Sequence, residues 1–312
     1  MSDHPSMLDI TDLGPEGLAS VVDLALRPVG DLGRPLEGDG VALVFEKPSN
    51  RTRHSMEMAV TQLGGHPVYT RGEEVGLDSR EPVEDVIRVL AGYHRIVAAR
   101  VFDHGHLERM RAAAVTSVVN LLSDHSHPMQ ALADVLTMTR EFGDLTGRVV
   151  AWVGDYNNVA RSLAEVSLMS GMDVRLACPA GYDASDAELE RLSLLGTGAI
   201  SQSDAPASAV EGAHAVHTDT WVSMGQEDDA ATRRAAFADY TVDAELFSLA
   251  ADDAVFMHCM PAYRGLEVSA DVFDGPRSRV ITQAHDRMHA ARGLLAHLVG
   301  VRCAPRPAVS RR

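Results

Sequence analysis

Short apolar runs of strand length recur along this chain, and stretches whose apolar residues return at helical spacing stand between them. Val41-Ala42-Leu43-Val44-Phe45, Ile96-Val97-Ala98-Ala99 and Val149 to Val153 carry no polar residue, so both faces of each must be covered. Strands of that kind belong to parallel sheets, whose neighbours are joined by crossover helices that cover the faces. The first half offers strands near 41–45, 67–70, 96–101 and 117–122, with helices near 52–63, 82–92, 105–113 and 128–142. The second half offers strands near 148–153, 173–178, 198–202, 214–218 and 254–258, with helices near 158–170, 185–195, 205–211 and 229–250. A last strand near 279–282 precedes a helix over 286–299. Gly143-Asp144-Leu145-Thr146-Gly147 breaks the alternation. The sequence therefore predicts an α/β chain of two doubly wound parallel-sheet domains of similar size, 1–140 and 141–285, joined by bridging helices. Its 312 residues, 46% of them hydrophobic, suffice for two cores. The end, 304–312, holds two prolines and three arginines and reads as disordered.

Charge and cysteine usage narrow the function classes. A formal net charge of −16 argues against nucleic acid or an anionic membrane as partner, since both need a basic surface. Three cysteines, Cys178, Cys259 and Cys303, are odd in number and far apart, which suits a reducing cytoplasm better than a disulfide framework. The start, MSDHPSMLDI, has neither a basic n-region nor an apolar h-region, so the expectation is a cytoplasmic protein. Lys47 is the only lysine and follows no glycine-rich turn, which excludes a Walker loop. Gly154-Asp155-Tyr156-Asn157-Asn158 ends the run Val149 to Val153 where a dinucleotide fold would carry GxGxxG; Tyr156 and Asn158 stand where small residues are required, so no nicotinamide cofactor is expected, nor any other.

Against that acidic background, residues 45–57 read FEKPSNRTRHSME, at the point where an apolar strand gives way to a helix. Ser49, Asn50, Arg51, Thr52 and Arg53 thus sit at or near a helix N-terminus, where unpaired N–H groups and the helix dipole favour an anion. Arginine adds a planar fork for two oxygens, and the hydroxyls add short donors. The plainer alternative is that Ser49 caps the helix and the arginines are solvated.

Other polar blocks also fall just after strand ends, which is where open parallel sheets bind ligands. His127 stands before a helix opened by Pro128. Arg100 ends an apolar strand, a costly place for a cation without an anionic partner. Asp219 and Ser223 supply the carboxylate and hydroxyl that a cationic α-amino group requires, with the Met224 N–H available to a carboxylate; a helix cap is the alternative for Asp219. Cys259 ends the run Val255 to His258; a free cysteine in that position is ordinarily an inert core residue. The pair His125 and His127 invites a zinc reading, but no second ligand block accompanies it, and no metal is expected.

These blocks together resemble the aspartate and ornithine carbamoyltransferases. The segment Ser49-Asn50-Arg51-Thr52-Arg53 is similar to the family's carbamoyl-phosphate loop, usually Ser-Thr-Arg-Thr-Arg, and His127-Pro128-Met129-Gln130-Ala131-Leu132-Ala133-Asp134 to its HPxQxLxD block. Residues 154–158 resemble GDxNN, 219–225 resemble DxWxSMG and 258–261 resemble HCLP; the last two are the pattern of the ornithine branch. The resemblance implies an active site in the cleft between the domains, with a C-terminal helix, about 286–300, packed back on the first domain. It implies carbamoyl transfer from carbamoyl phosphate to the δ-amine of L-ornithine, in arginine metabolism, by a homotrimer or a multiple of trimers. Ser49, Asn50, Arg51, Thr52 and Arg53 would then cradle phosphate, one arginine touching it and the other bracing the loop. Arg100, Thr52, His127 and Arg287 would meet the carbonyl oxygen, Gln130 the carbamoyl NH2, and Cys259 with the Met260 carbonyl the δ-amino group. Asn158, Asp219, Ser223 and Met224 would bind ornithine. Asn50 replaces the usual threonine, Met260 a leucine, Tyr263 a common histidine, and Gly76 a Gln or His that reaches a neighbouring subunit; Ser79 and Arg80 are possible substitutes for it. A transferase for another amine, such as an N-acylornithine or putrescine, and a non-catalytic binder are the competing readings.

Overall fold

The computed structural model of the protein describes residues 4–302 except Met224 and Gln226. Cys303, the tail 304–312 and the candidate Met224 therefore lie outside the described residues. By internal contacts the chain forms two compact units, one of residues 1–124 with 287–312, the other of 125–286.

In the first unit, strands β1 (Gly40–Phe45), β2 (His66–Arg71), β3 (Ile96–Arg100) and β4 (Ser117–Leu122) pair in parallel in the order β2-β1-β3-β4. Helices α1 (Gly14–Leu26), α2 (Asn50–Gln62), α3 (Val83–Ala91) and α4 (His104–Ala113) accompany them. Ala42 and Val44 of β1, Val97 and Ala99 of β3 and Val118 of β4 share a core with Val83, Ile87 and Leu107 from α3 and α4. The unbroken apolar runs thus have the covering they require. Ahead of α1, Met7 bridges to Val119, and Asn120 Nδ2 donates to Leu8 O at 2.8 Å.

In the second unit, β5 (Val149–Val153), β6 (Asp173–Ala177), β7 (Ile200–Ser203), β8 (Ala215–Thr218) and β9 (Val255–His258) are also all parallel, in the order β7-β6-β5-β8-β9. Helices α5 (Pro128–Phe142), α6 (Asn158–Met169) and α7 (Asp186–Ser193) belong to it, and α8 (Val280–Leu298) begins in this unit and ends in the first. An aromatic-rich core contains Trp221, Phe237, Tyr240, Phe247, Phe256 and Phe273.

Several elements differ from the sequence expectation. The β-branched residues near 279–282 suggested a strand, but only Ser278 bridges to Phe256, and α8 starts at Val280. The helix expected over 229–250 is two short ones, Ala230–Ala236 and Ala244–Phe247. Between them Tyr240 is buried and Val242 bridges to Val268, so tertiary packing overrides the local helical period. The α1 helix was not anticipated, because Gly14, Pro15 and Gly17 dilute its signal. Contacts group α5 with the second unit.

Each sheet reverses its winding once, between β1 and β3 and between β5 and β8. Connections leaving the C-terminal ends of such a strand pair depart to opposite sides and open a crevice, the usual ligand site of this architecture.

Candidate active site

In the first unit the crevice follows Phe45 and Arg100, which are register partners; Glu46 N–H donates to Arg100 O at 2.9 Å. Ser49 has the extended backbone of an N-cap, and its Oγ accepts from Thr52 N–H at 3.4 Å. The capping alternative is thus realised, and Arg53 N–H also donates to Ser49 O at 3.3 Å. Thr52 is buried and its Oγ1 accepts from Arg287 Nη2 at 2.5 Å. Arg100 and Arg287 are both buried, 6% and 4% exposed, and the Arg287 guanidinium reaches the loop through Thr52. The two loop arginines part company. Arg53 donates to Glu57 Oε1 at 2.8 Å and lies 3.8 Å above the Tyr69 ring, whereas Arg51 makes no hydrogen bond or ion pair among the described residues. Lys47 lies 4.4 Å from the Phe102 ring centroid; burial and the Arg100 charge lower its pKa, against the opposing pull of Asp124 and Glu46. A cluster of cations with one loop arginine uncommitted favours a multiply charged anion.

In the second unit the crevice follows Val153 and Thr218, again register partners. Asn157 N-caps α6, its Oδ1 accepting from Val159 and Ala160 N–H at 2.9 and 3.0 Å, while its Nδ2 donates to Asp219 Oδ2 at 3.0 Å. Asp219 Oδ1 accepts from Thr220 N–H at 2.8 Å and from Cys259 Sγ at 2.9 Å. The carboxylate from β8 and the thiol from β9 are therefore in direct contact. Thr220-Trp221 is held from below: Arg233 donates to Trp221 O at 2.5 Å and to the Asp155 carboxylate. Burial raises the Asp155 pKa, with the Arg233 charge opposing.

Behind Cys259 lies a fixed histidine. Met260 N–H donates to His258 Nδ1 at 2.8 Å, so Nδ1 is unprotonated and the Nε2 proton faces Glu267 Oε1 at 3.2 Å. His258, Asp219 and Cys259 offer ligand atoms within 4.8 Å of one another; Cys259 bonds to Asp219, whereas both His258 nitrogens are hydrogen-bonded elsewhere, to Met260 N–H and Glu267. Met260 itself has φ 58°, a left-handed backbone that turns the chain sharply after β9.

His127 is the residue before α5, buried, with its N–H donating to Ser162 Oγ at 2.9 Å. Gln130 is buried one turn on, and Nε2 donates to Asp134 Oδ1 at 2.8 Å. Asn158, chosen from the sequence as a ligand residue, opens α6, and Ser223 follows the Trp221 turn. The sequence reading passed over Asn157, whose place before an apolar helical run was the available signal, over Asp134, which closes the HPxQxLxD block but was given no role, and over Gln283 and His217.

The carbamoyl-P binding domain of the aspartate/ornithine carbamoyltransferase family matches residues 6–140, and the same family's Asp/Orn binding domain matches residues 146–298. The chain belongs to the aspartate/ornithine carbamoyltransferase family. The ornithine carbamoyltransferase of Thermus thermophilus is 44% identical over 295 residues, spanning 94% of this chain and 96% of the relative. That of Acidothermus cellulolyticus is 46% identical over 294 residues, spanning 92% and 94%. Among solved structures, the ornithine carbamoyltransferase from Pyrococcus furiosus superposes with a TM-score of 0.89 at 38% identity, covering 95% of this chain and 97% of that one. The family thereby accounts for the two parallel sheets, and its carbamoyl-P and amino-acid domains coincide with the cationic and the carboxylate-bearing crevices.

Proposed function

We propose that this chain transfers the carbamoyl group of carbamoyl phosphate to the δ-amino group of L-ornithine, giving L-citrulline and phosphate. The observation that carries the reading is the Asp219–Cys259 contact: a carboxylate for the α-ammonium lies against a sulfur that accompanies the attacking amine. Relatives named ornithine carbamoyltransferase at 44% and 46% identity support it.

In the reaction, the δ-nitrogen lone pair of the neutral amine forms a bond to the carbamoyl carbon, the bond from that carbon to the oxygen bridging it to phosphorus breaks, and the proton lost by the amine balances on the departing phosphate as hydrogen phosphate. No side chain acts as nucleophile, so positioning and charge stabilisation supply the acceleration. Arg51, the Ser49 hydroxyl, Asn50 and the N–H groups of the α2 first turn receive the phosphate, and Arg53 braces the loop through Glu57 and Tyr69. Arg100, Thr52, Arg287 and His127 stabilise charge growing on the carbonyl oxygen, with Arg287 fixing the Thr52 hydroxyl. Gln130 receives the carbamoyl NH2. Asp219, held by Asn157, takes the α-ammonium, Asn158 and Met224 N–H the carboxylate, and Ser223 adds a hydrogen bond. Cys259 and the Met260 carbonyl orient the δ-amine. The carbamoyl-phosphate residues thus fall mainly in 1–140 and the last helix, the ornithine residues in 141–285. A homotrimer acting in the cytoplasm in arginine metabolism completes the proposal.

Initial rates with carbamoyl phosphate and, in turn, ornithine, N-acetylornithine, putrescine and aspartate test the reading. Ornithine should lead by more than about a hundredfold in kcat/KM, since the others leave Asp219 or the carboxylate grip unmatched. Putrescine or N-acetylornithine running level with it would overturn the roles of Asp219 and Ser223.

A further inference from the structure

The Gln130 amide belongs to a buried chain of hydrogen bonds whose polarity can be read from one end. His258 N–H donates to Gln283 Oε1 at 2.9 Å. A backbone N–H can only donate, so Gln283 must present its Nε2 to the other side. There Nε2 donates to Asp134 Oδ1 at 2.6 Å and to His217 Nε2 at 3.0 Å. His217 is able to accept because its Nδ1 proton is given to Thr218 O at 3.1 Å, and its ring stacks on Trp152 with centroids 5.2 Å apart. Asp134 is fully buried and, as a carboxylate, only accepts. The Gln130 atom 2.8 Å from Asp134 Oδ1 is therefore its amide nitrogen, and the amide oxygen is turned away from Asp134. Asp134 thus distinguishes the two faces of the Gln130 amide by accepting from one of them.

We propose that Asp134 is a positioning residue for the choice of acyl donor: by holding the Gln130 nitrogen it turns the Gln130 oxygen toward the carbamoyl NH2, and so separates carbamoyl phosphate from acetyl phosphate. The two donors share the phosphate and the carbonyl and differ where one bears NH2 and the other CH3. A site built to accept from an N–H discriminates strongly against a partner that lacks it, because its acceptor is left unpaired. The proposal rests on the carbamoyl-transfer reading above and adds the residue that sets donor selectivity. Gln283 and His217 extend the hold by fixing the second N–H on Asp134.

The test compares KM for carbamoyl phosphate with the inhibition constant of acetyl phosphate competing against it, in the full chain and in Asp134→Leu, Asp134→Ala and Asp134→Asn. Leu and Ala remove the acceptor; Asn keeps an oxygen for both N–H groups. Asp134→Leu, or Asp134→Ala if the larger side chain prevents folding, should raise the carbamoyl-phosphate KM about tenfold or more and move the acetyl-phosphate constant less than about twofold. Asp134→Asn should stay within about threefold of the parent for both. Equal losses for both donors, no loss for either, or an Asn variant as impaired as Leu would overturn the proposal. Failure of the unaltered chain to form citrulline would instead sink the transfer reading, a result separable from these because it concerns no variant.

Discussion

The two crevices are built on opposite plans. In the first unit the working groups are cations gathered at a helix start, and Arg51 holds no internal partner among the described residues. In the second, Asp219 and Cys259 bond to each other, and Asn157 bonds to Asp219. The contrast follows from what each must bind. A phosphate dianion is gripped well by excess positive charge and helix N–H groups, which tolerate small displacements. An amino acid with a reacting side chain needs a fixed carboxylate and a fixed direction of attack, and fixed direction comes from neighbours that leave a side chain one orientation.

Variants should separate the plans, beginning with the largest effect. Asp219→Ala removes the acceptor of three donors and should lower kcat/KM for ornithine by about a hundredfold or more, with the carbamoyl-phosphate KM within about twofold. Steady-state kinetics with each substrate varied in turn would show it, and equal losses on both would erase the division between the units. Arg51→Ala should weaken carbamoyl phosphate more than tenfold through loss of a charge-assisted contact of about 1.5 to 3 kcal/mol; titration calorimetry decides. Arg53→Ala should cost less than about threefold in that affinity, since its partners are Glu57 and Tyr69 and its side chain is 42% exposed. An Arg53 effect matching that of Arg51 would mean both arginines touch phosphate.

Two pH dependences sharpen the same contrast. Ornithine's δ-amine, ordinarily near a pKa of about 10.4, must lose its proton to attack, so kcat/KM for ornithine should climb between about pH 7 and 9; a flat profile would place the slow step elsewhere. Glu188, on α7, accepts from the Tyr156 hydroxyl at 2.8 Å. Its burial would raise its pKa, but hydrogen bonds from Arg191 and Tyr156, with the Arg161 charge, prevail and hold it at about 2 against 4.5. A folded-state pKa below the unfolded one means stability that is present above about pH 4.5 and is lost as pH falls toward 2. Glu188→Gln should therefore destabilise the fold by no more than about 2 kcal/mol at pH 7, since solvent screens part of the effect, and by much less near pH 2, measured by urea unfolding.

How much of this was readable in the sequence follows the range of the interactions. Strands were legible because apolar runs such as Val41 to Phe45 are local, and the polar blocks were placed correctly at the strand ends for the same reason. The Asp134–Gln283 bond joins residues 149 apart, and nothing near either one announces the other. Asn157, to which the sequence reading gave no role, reaches Asp219 from the N-cap of α6, a placement that only the exact helix start fixes. Arg51 and Arg53 are indistinguishable as letters; the Tyr69 ring on the adjacent strand and Glu57 one turn along α2 tell them apart.

The carboxylate–thiol pair at the ends of β8 and β9 is held to bind ornithine by its α-ammonium and leave the δ-nitrogen to attack. Nuclear magnetic resonance of the product formed from isotopically labelled carbamoyl phosphate and ornithine reads that directly. The labelled carbon should be bonded to the δ-nitrogen, as citrulline, with one phosphate released per citrulline. Label on the α-nitrogen, or release of phosphate with the carbon recovered only as bicarbonate, would contradict it.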